Sequence, residues 1–138
     1  LNTNAALARQ RQKLVLVVDD NEAILRALDY GLRRSGFRVL CATHGAPALE
    51  ILKGPQGPEI DVVLTDVVMP GGMNGLELAR AARRLRGELP ILLTSGYATG
   101  IFDSLGASPM EFPLIAKPSS VGELAALLRR MIDAAETW

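Results

Sequence analysis

Cysteine is almost absent from this chain of 138 residues: Cys41 is the only one. That excludes a disulfide framework within the chain and a cysteine-rich zinc site. A reducing, cytoplasmic setting suits such a composition. Aromatic residues are scarce at 4%, so Leu, Val, Ile and Ala must fill the core. An excess of either charge is also missing, since fifteen basic and fifteen acidic residues give a formal net charge of +0. A general nucleic-acid binder needs a basic surface to displace counterions, and no direct nucleic-acid contact is expected. No apolar run approaches the ~20 residues that span a bilayer, so no membrane segment is expected here. What is plentiful is aliphatic: hydrophobic residues reach 49% against 22% charged, a folding composition and not a disordered one. The length suits one domain.

Residues 1–13 have no apolar h-region of the secretory kind. They carry Arg9, Arg11 and Lys13 with no acid. A basic arm is one reading; the tail of an upstream linker is the one adopted, with the domain at 14–138. Leu14 to Val18 is a short, β-branched apolar run, the pattern of a strand buried on both faces. Ile24, Leu25, Leu28 and Leu32 recur at helical spacing up to Gly36. A second strand is expected over 37–42 and a helix over 46–53, stopped by Gly54-Pro55. Ile60 to Thr65 reads as the third strand, and Pro70, Gly71 and Gly72 make a loop after it. Leu76, Leu78, Ala79, Ala82 and Leu85 predict a helix, and Ile91 to Thr94 a fourth strand. Between 98 and 110, Gly100, Gly106 and Pro109 leave any helix short or irregular. Leu114 to Ala116 is a last short strand. Ser120 and Glu123 then form a capping-box pattern ahead of Leu124, Leu128 and Ile132. Strands alternating with helices imply an α/β fold with right-handed crossovers, a parallel sheet and helices on both faces.

In such sheets ligands bind outside the carboxyl ends of the strands. Asp19 and Asp20 follow the first strand, Asp66 the third, Thr94 and Ser95 the fourth, and Lys117 the fifth. Three carboxylates at one edge repel unless a cation joins them. Hard oxygen donors on an open face suit Mg²⁺, completed by a phosphate ligand. A hydroxyl and an ammonium beside them could bind the other phosphoryl oxygens. The set therefore reads as a phosphoryl-transfer site with a carboxylate nucleophile. Singly, each residue has a plainer reading. Asp-Asp-Asn after a strand suits a helix N-cap, with Asn21 as the cap. Asp66 could be a turn residue, Ser95-Gly96 a turn pair, and Lys117 a solvated lysine.

Four ordered segments add a resemblance: 15–21 (Val-Leu-Val-Val-Asp-Asp-Asn), 66–75 (Asp-Val-Val-Met-Pro-Gly-Gly-Met-Asn-Gly), 90–97 (Pro-Ile-Leu-Leu-Thr-Ser-Gly-Tyr) and Lys117-Pro118. Together they resemble the receiver domain of bacterial two-component response regulators, most of all receivers of hybrid sensor histidine kinases. The resemblance implies a flavodoxin-like five-stranded sheet in the order 2-1-3-4-5. It implies that Asp66 is the phosphoacceptor, taking its group from a histidine kinase or histidine phosphotransfer domain. Asp20 would bind Mg²⁺ directly, Asp19 through water, and Val68 by its backbone carbonyl. Ser95 would be the switch hydroxyl, with Thr94 as sheet core. Lys117 would contact the phosphoryl group and form a cis bond to Pro118. The family further implies a monomer or weak dimer, with no independent turnover beyond self-phosphorylation and dephosphorylation. The parent could be a hybrid kinase or a stand-alone relay.

One departure is plain: Leu114 stands three residues before the lysine, where commoner receivers carry Tyr or Phe. The rival reading is a Mg²⁺-dependent phosphatase or phosphotransferase working through an aspartyl-phosphate. Many of those carry a second aspartate two residues after the nucleophile, where this chain has Val68. A nucleotide-binding protein would need a glycine-rich loop after the first strand, which is missing. The intact Asp20, Asp66, Ser95 and Lys117 set opposes a degenerate receiver. His44, the only histidine, is expected in a loop, and Cys41 in the core. Met69 and Met73 are expected to cover the site. Arg80, Arg83, Arg84 and Arg86, and likewise Arg129 and Arg130, are expected on solvated helix faces.

Overall fold

A computed structural model of the chain describes residues 12–96, 111–117 and 120–136. The elements run β1 (Leu14–Val18), α1 (Glu22–Arg34), β2 (Arg38–Ala42), α2 (Gly45–Lys53), a 3₁₀ turn (Gly57–Glu59), β3 (Val62–Asp66), α3 (Gly75–Leu85), β4 (Ile91–Ser95), β5 (Leu114–Ala116) and α4 (Val121–Glu136). The five strands form one parallel sheet in the order β2-β1-β3-β4-β5, as expected. The expected irregular helix over 98–110 and the cis bond to Pro118 lie outside the described residues.

Two apolar layers sandwich the sheet, and strand alternation sorts residues between them. Leu14, Leu16 and Val18 of β1 pack with Ala48 and Leu52 of α2 and with Leu76, Ala79 and Ala82 of α3. Val15 and Val17 face the other way, onto Leu25 and Leu32 of α1 and Leu124, Leu128 and Ile132 of α4. Every residue of β1, β3 and β4 is buried, which is why these segments open on apolar runs and turn polar only at their carboxyl ends.

The helix starts follow from their caps. Asn21 Oδ1 accepts the amides of Ala23 and Ile24 at 3.0 and 3.1 Å, so the cap expected at Asn21 is present. Ser120 Oγ accepts the Glu123 amide at 3.1 Å. A full capping box joins Asn74 and Glu77 at the start of α3, where the loop composition had hidden it. β3 begins at Val62, two residues later than the apolar run suggested. Ile60 instead closes the 3₁₀ turn, and the Asp61 carboxylate accepts the Leu14 amide at 2.8 Å.

Two expectations about side chains need correction. Cys41 is exposed, not core. It lies on an edge strand, where its charged neighbours are Asp29 and Arg33 of α1; burial of its thiol is still enough to push its pKa up. Arg84 and Arg130 are exposed, as expected, but Arg83, Arg86 and Arg129 are structural ties. Arg83 Nε donates to Leu89 O at 2.8 Å, and Arg86 Nη1 donates to Ile60 O at 2.6 Å. Arg129 donates to Ser35 O and lies 4.4 Å from the Phe37 ring centroid. Met69 is buried in the core and Met73 packs on Gly45 of α2. At the far edge of the sheet, Arg33 Nη2 donates to Val39 O at 2.8 Å while its Nε binds Asp29 Oδ1 at 2.6 Å.

Candidate functional site

Parallel strands put their carboxyl ends on one edge, and register decides which ends meet. Val18 pairs with Thr65, so Asp19 lies level with Asp66, the last residue of β3. Asp66 in turn pairs with Thr94, and Ser95 with Ala116, so Lys117 stands one step past Ser95. A single backbone bond, from Lys117 N to Ser95 O at 2.9 Å, carries this register to the lysine.

The side chains converge as well. Lys117 Nζ lies 2.9 Å from Asp19 Oδ2 and 3.4 Å from Asp66 Oδ2. Asp19 is 2% exposed and has a donor on each oxygen, Lys117 on one and the Asn21 amide on the other at 2.9 Å. Asp66 is also buried, while Asp20 sits half-buried at the mouth. One carboxylate oxygen each from Asp19, Asp20 and Asp66 lies within 4.8 Å of the others. Ser95 is fully buried at the end of β4, and Thr94 is buried in the sheet, as expected for core. Val68 is exposed, and its backbone beside the Asp66 carboxylate favours the ionised form. That backbone contact and the closeness of Asp19 to Lys117 have no signature in the spacing of the motifs.

Burial raises the Asp66 pKa above its ordinary value; the positive charge of Lys117 opposes the rise and the negative charge of Asp19 adds to it. At Lys117 burial works against the charged form, yet the hydrogen bond it donates to Asp19 and the nearby charge of Asp66 outweigh it. The ammonium is held above its ordinary value and stays charged at neutral pH. Three carboxylates against one ammonium leave the cluster net negative. With hard oxygen donors and partial opening to solvent, the residues fit a small divalent cation such as Mg²⁺.

The loop after β3 is held close. Gly75 N–H donates to Val67 O at 2.8 Å, and a Cβ at Gly75 would lie 2.0 Å from Asp66 O. Only glycine lets α3 start this near the Asp66 backbone. Gly71 and Gly72 adopt positive φ, so the turn between them needs residues without a side chain. On the other side of Lys117, an apolar groove of about 250 Å³ runs between α1 and α4, lined by Ile24, Leu28, Thr94, Ala116 and Leu124.

The family model described as response regulator receiver domain matches residues 15–129. Among curated proteins, the sensor kinase CckA of Brucella abortus (strain 2308) is 34% identical over 119 residues. The match covers 86% of this chain and 12% of that kinase, so the chain spans a small part of its relative. Among solved structures, the receiver domain of a hybrid histidine kinase CckA aligns at 30% identity with a TM-score of 0.71, over 86% of this chain and 98% of that one. A response regulator receiver protein from Sinorhizobium medicae WSM419 aligns at 28% identity with a TM-score of 0.78, over 91% and 98% of the two chains.

Proposed function

The chain belongs to the response regulator receiver domain family of two-component systems, and from that premise we propose that Asp66 accepts a phosphoryl group from a phosphohistidine. The observation that carries this reading is the seat of Lys117 Nζ between Asp19 and Asp66, beside three carboxylates whose oxygens lie within 4.8 Å. Such a cluster is costly to bury without a task that uses its charge.

The ionised Asp66 carboxylate attacks phosphorus, an O–P bond forms, and the N–P bond of the donor imidazole breaks with its electron pair returning to nitrogen. Asp20 and Asp66 would hold Mg²⁺ directly, with the Val68 carbonyl, and Asp19 would act through water. Both Asp19 oxygens already have protein donors, which suits the indirect role. When bound, Mg²⁺ neutralises charge on the transferring group. Lys117 supplies a second positive charge on the same oxygens, and the Ser95 hydroxyl and Gly96 amide meet the others. Phosphorylation adds negative charge and bulk at the end of β3 and biases a pair of existing conformations. The donor would be a histidine kinase or a histidine phosphotransfer domain, and the setting cytoplasmic. Among the described residues no helix is long and apolar enough to cross a membrane. A place within a hybrid kinase suits the similarity to CckA receivers.

The test is mass spectrometry of the intact chain after acetyl phosphate and Mg²⁺. One hydroxylamine-sensitive phosphoryl group is expected on the wild type and none on Asp66→Asn. Equal labelling of the two would overturn the assignment.

A further inference from the structure

Lys117 must hold its ammonium between two carboxylates, yet it follows the weakest strand of the sheet. β5 has three residues, none fully buried, and among the described residues pairs on one side only, with β4. Its ladder ends at Pro113 O, which accepts the Leu93 amide, and at Lys117 N, which donates to Ser95 O, both at 2.9 Å. Something besides pairing has to fix where this strand begins.

That something is α3. Arg80 Nε and Nη2 donate to the two carboxylate oxygens of Glu111 at 2.7 and 2.8 Å, a bidentate pair. One turn on, the Arg83 guanidinium lies 5.2 Å from the centroid of the Phe112 ring. Arg83 is itself fixed by Leu89 O, just before β4, so it stitches the starts of β4 and β5 together. Phe112 is 3% exposed and sits in the same apolar layer as Val67, Met69, Leu76 and Ala79. At its other end α3 rests on the Asp66 backbone through Gly75. One eleven-residue helix thus touches both the carboxylate loop and the lead-in to the lysine strand.

We propose that Arg80 and Arg83 are positioning residues for Lys117: by gripping Glu111 and Phe112 they set the start of β5, and with it the ammonium beside Asp66. This rests on the phosphoacceptor reading above. Neither arginine is tied to Asp19, Asp20 or Asp66, and both act through the strand. α3 is therefore a common frame for the nucleophile and its cation, which the sheet alone joins only through one short edge strand.

The experiment measures the initial rate of phosphoryl transfer from acetyl phosphate in saturating Mg²⁺, at a temperature where melting curves show every variant folded. Arg80→Glu and Glu111→Arg should each slow labelling roughly five-fold, in keeping with a bidentate partly exposed pair and a small displacement. The double reversal should recover most of the rate. Lys13→Ala, which breaks an ion pair to Glu136 of the same 2.7 Å length beside the start of β1, with no tie to β5, should leave it unchanged. In a Lys117→Ala background, already slow, Arg80→Glu should cost nothing more, because its route to the site is gone. A merely structural role would slow both backgrounds alike, and that result would overturn the inference. A normal rate for Arg80→Glu would overturn it too, with the phosphoacceptor reading intact. A wild type that takes no label would remove that reading and this inference together.

Discussion

β1 and β3 lie inside the sheet with every residue buried, whereas β5 lies at its edge with its three residues half-buried or exposed. Both kinds of strand deliver a charged group to one site. The carboxylates of Asp19 and Asp66 take their places from the core, because moving them means moving strands packed on two faces. The ammonium of Lys117 takes its place from a register of three residue pairs and from side-chain ties outside the sheet. The anionic half of the site is therefore as rigid as the fold, and the cationic half only as rigid as those ties.

The comparison breaks most visibly under truncation. Leu64→Ala, in the middle of β3, should cost about 3 kcal/mol, while Leu114→Ala on β5 should cost about 1 kcal/mol, because a half-exposed site leaves little cavity. Urea unfolding monitored by circular dichroism reads both, and equal losses would mean that β5 belongs to the rigid core after all. Next comes Gly75→Ala. Its new Cβ meets Asp66 O at 2.0 Å, so α3 or the loop must shift, at about 2 kcal/mol. Labelling by acetyl phosphate should fall along with the unfolding midpoint. A stable, fully active variant would show that α3 does not bear on the Asp66 backbone.

The smallest effect sharpens the contrast at β5. The hydrogen bond from Arg80 holds the Glu111 carboxyl below its ordinary 4.5. For an acid lowered in the folded state, the stabilising contribution is fully present above the unfolded value and is lost as pH falls through the folded one. The melting temperature of the wild type should therefore drop more steeply below pH 4.5 than that of Glu111→Gln, and parallel curves would show that the pair adds nothing to the fold.

The fold could be read from the sequence where burial leaves a pattern. Val, Leu and Ile runs mark β1, β3 and β4 because strands covered on both faces keep their polar residues to the carboxyl ends. The carboxyl-end rule then gathers Asp19, Asp20, Asp66, Ser95 and Lys117 without any contact being known. The ties of Arg80, Arg83, Arg86 and Arg129 leave no such pattern, for the opposite reason. Arg80 meets Glu111 across 31 residues of sequence, and no periodicity announces a partner that far away. A charged residue on a helix looks the same whether it faces water or a distant carbonyl. Cys41 was misplaced because an edge strand keeps apolar letters while losing cover on one side. The Val68 backbone contact could not have been read at all, since backbone groups leave no mark in side-chain chemistry.

The contact of Arg33 with Val39 has a consequence at the opposite border of the sheet from Lys117. Arg38 N donates inward to Lys13 O, so the neighbouring residue Val39 turns its carbonyl outward. A row of outward carbonyls and amides is a template on which another strand can build, and chains that leave one open are prone to aggregate edge to edge. Here a guanidinium held by Asp29 already occupies that carbonyl. An incoming strand would have to strip a hydrogen bond and an ion pair before gaining its first rung. The sheet is closed at β2 by a side chain of its own cover helix, which guards the protein's solubility at a place where the strand itself carries no charge beyond Arg38.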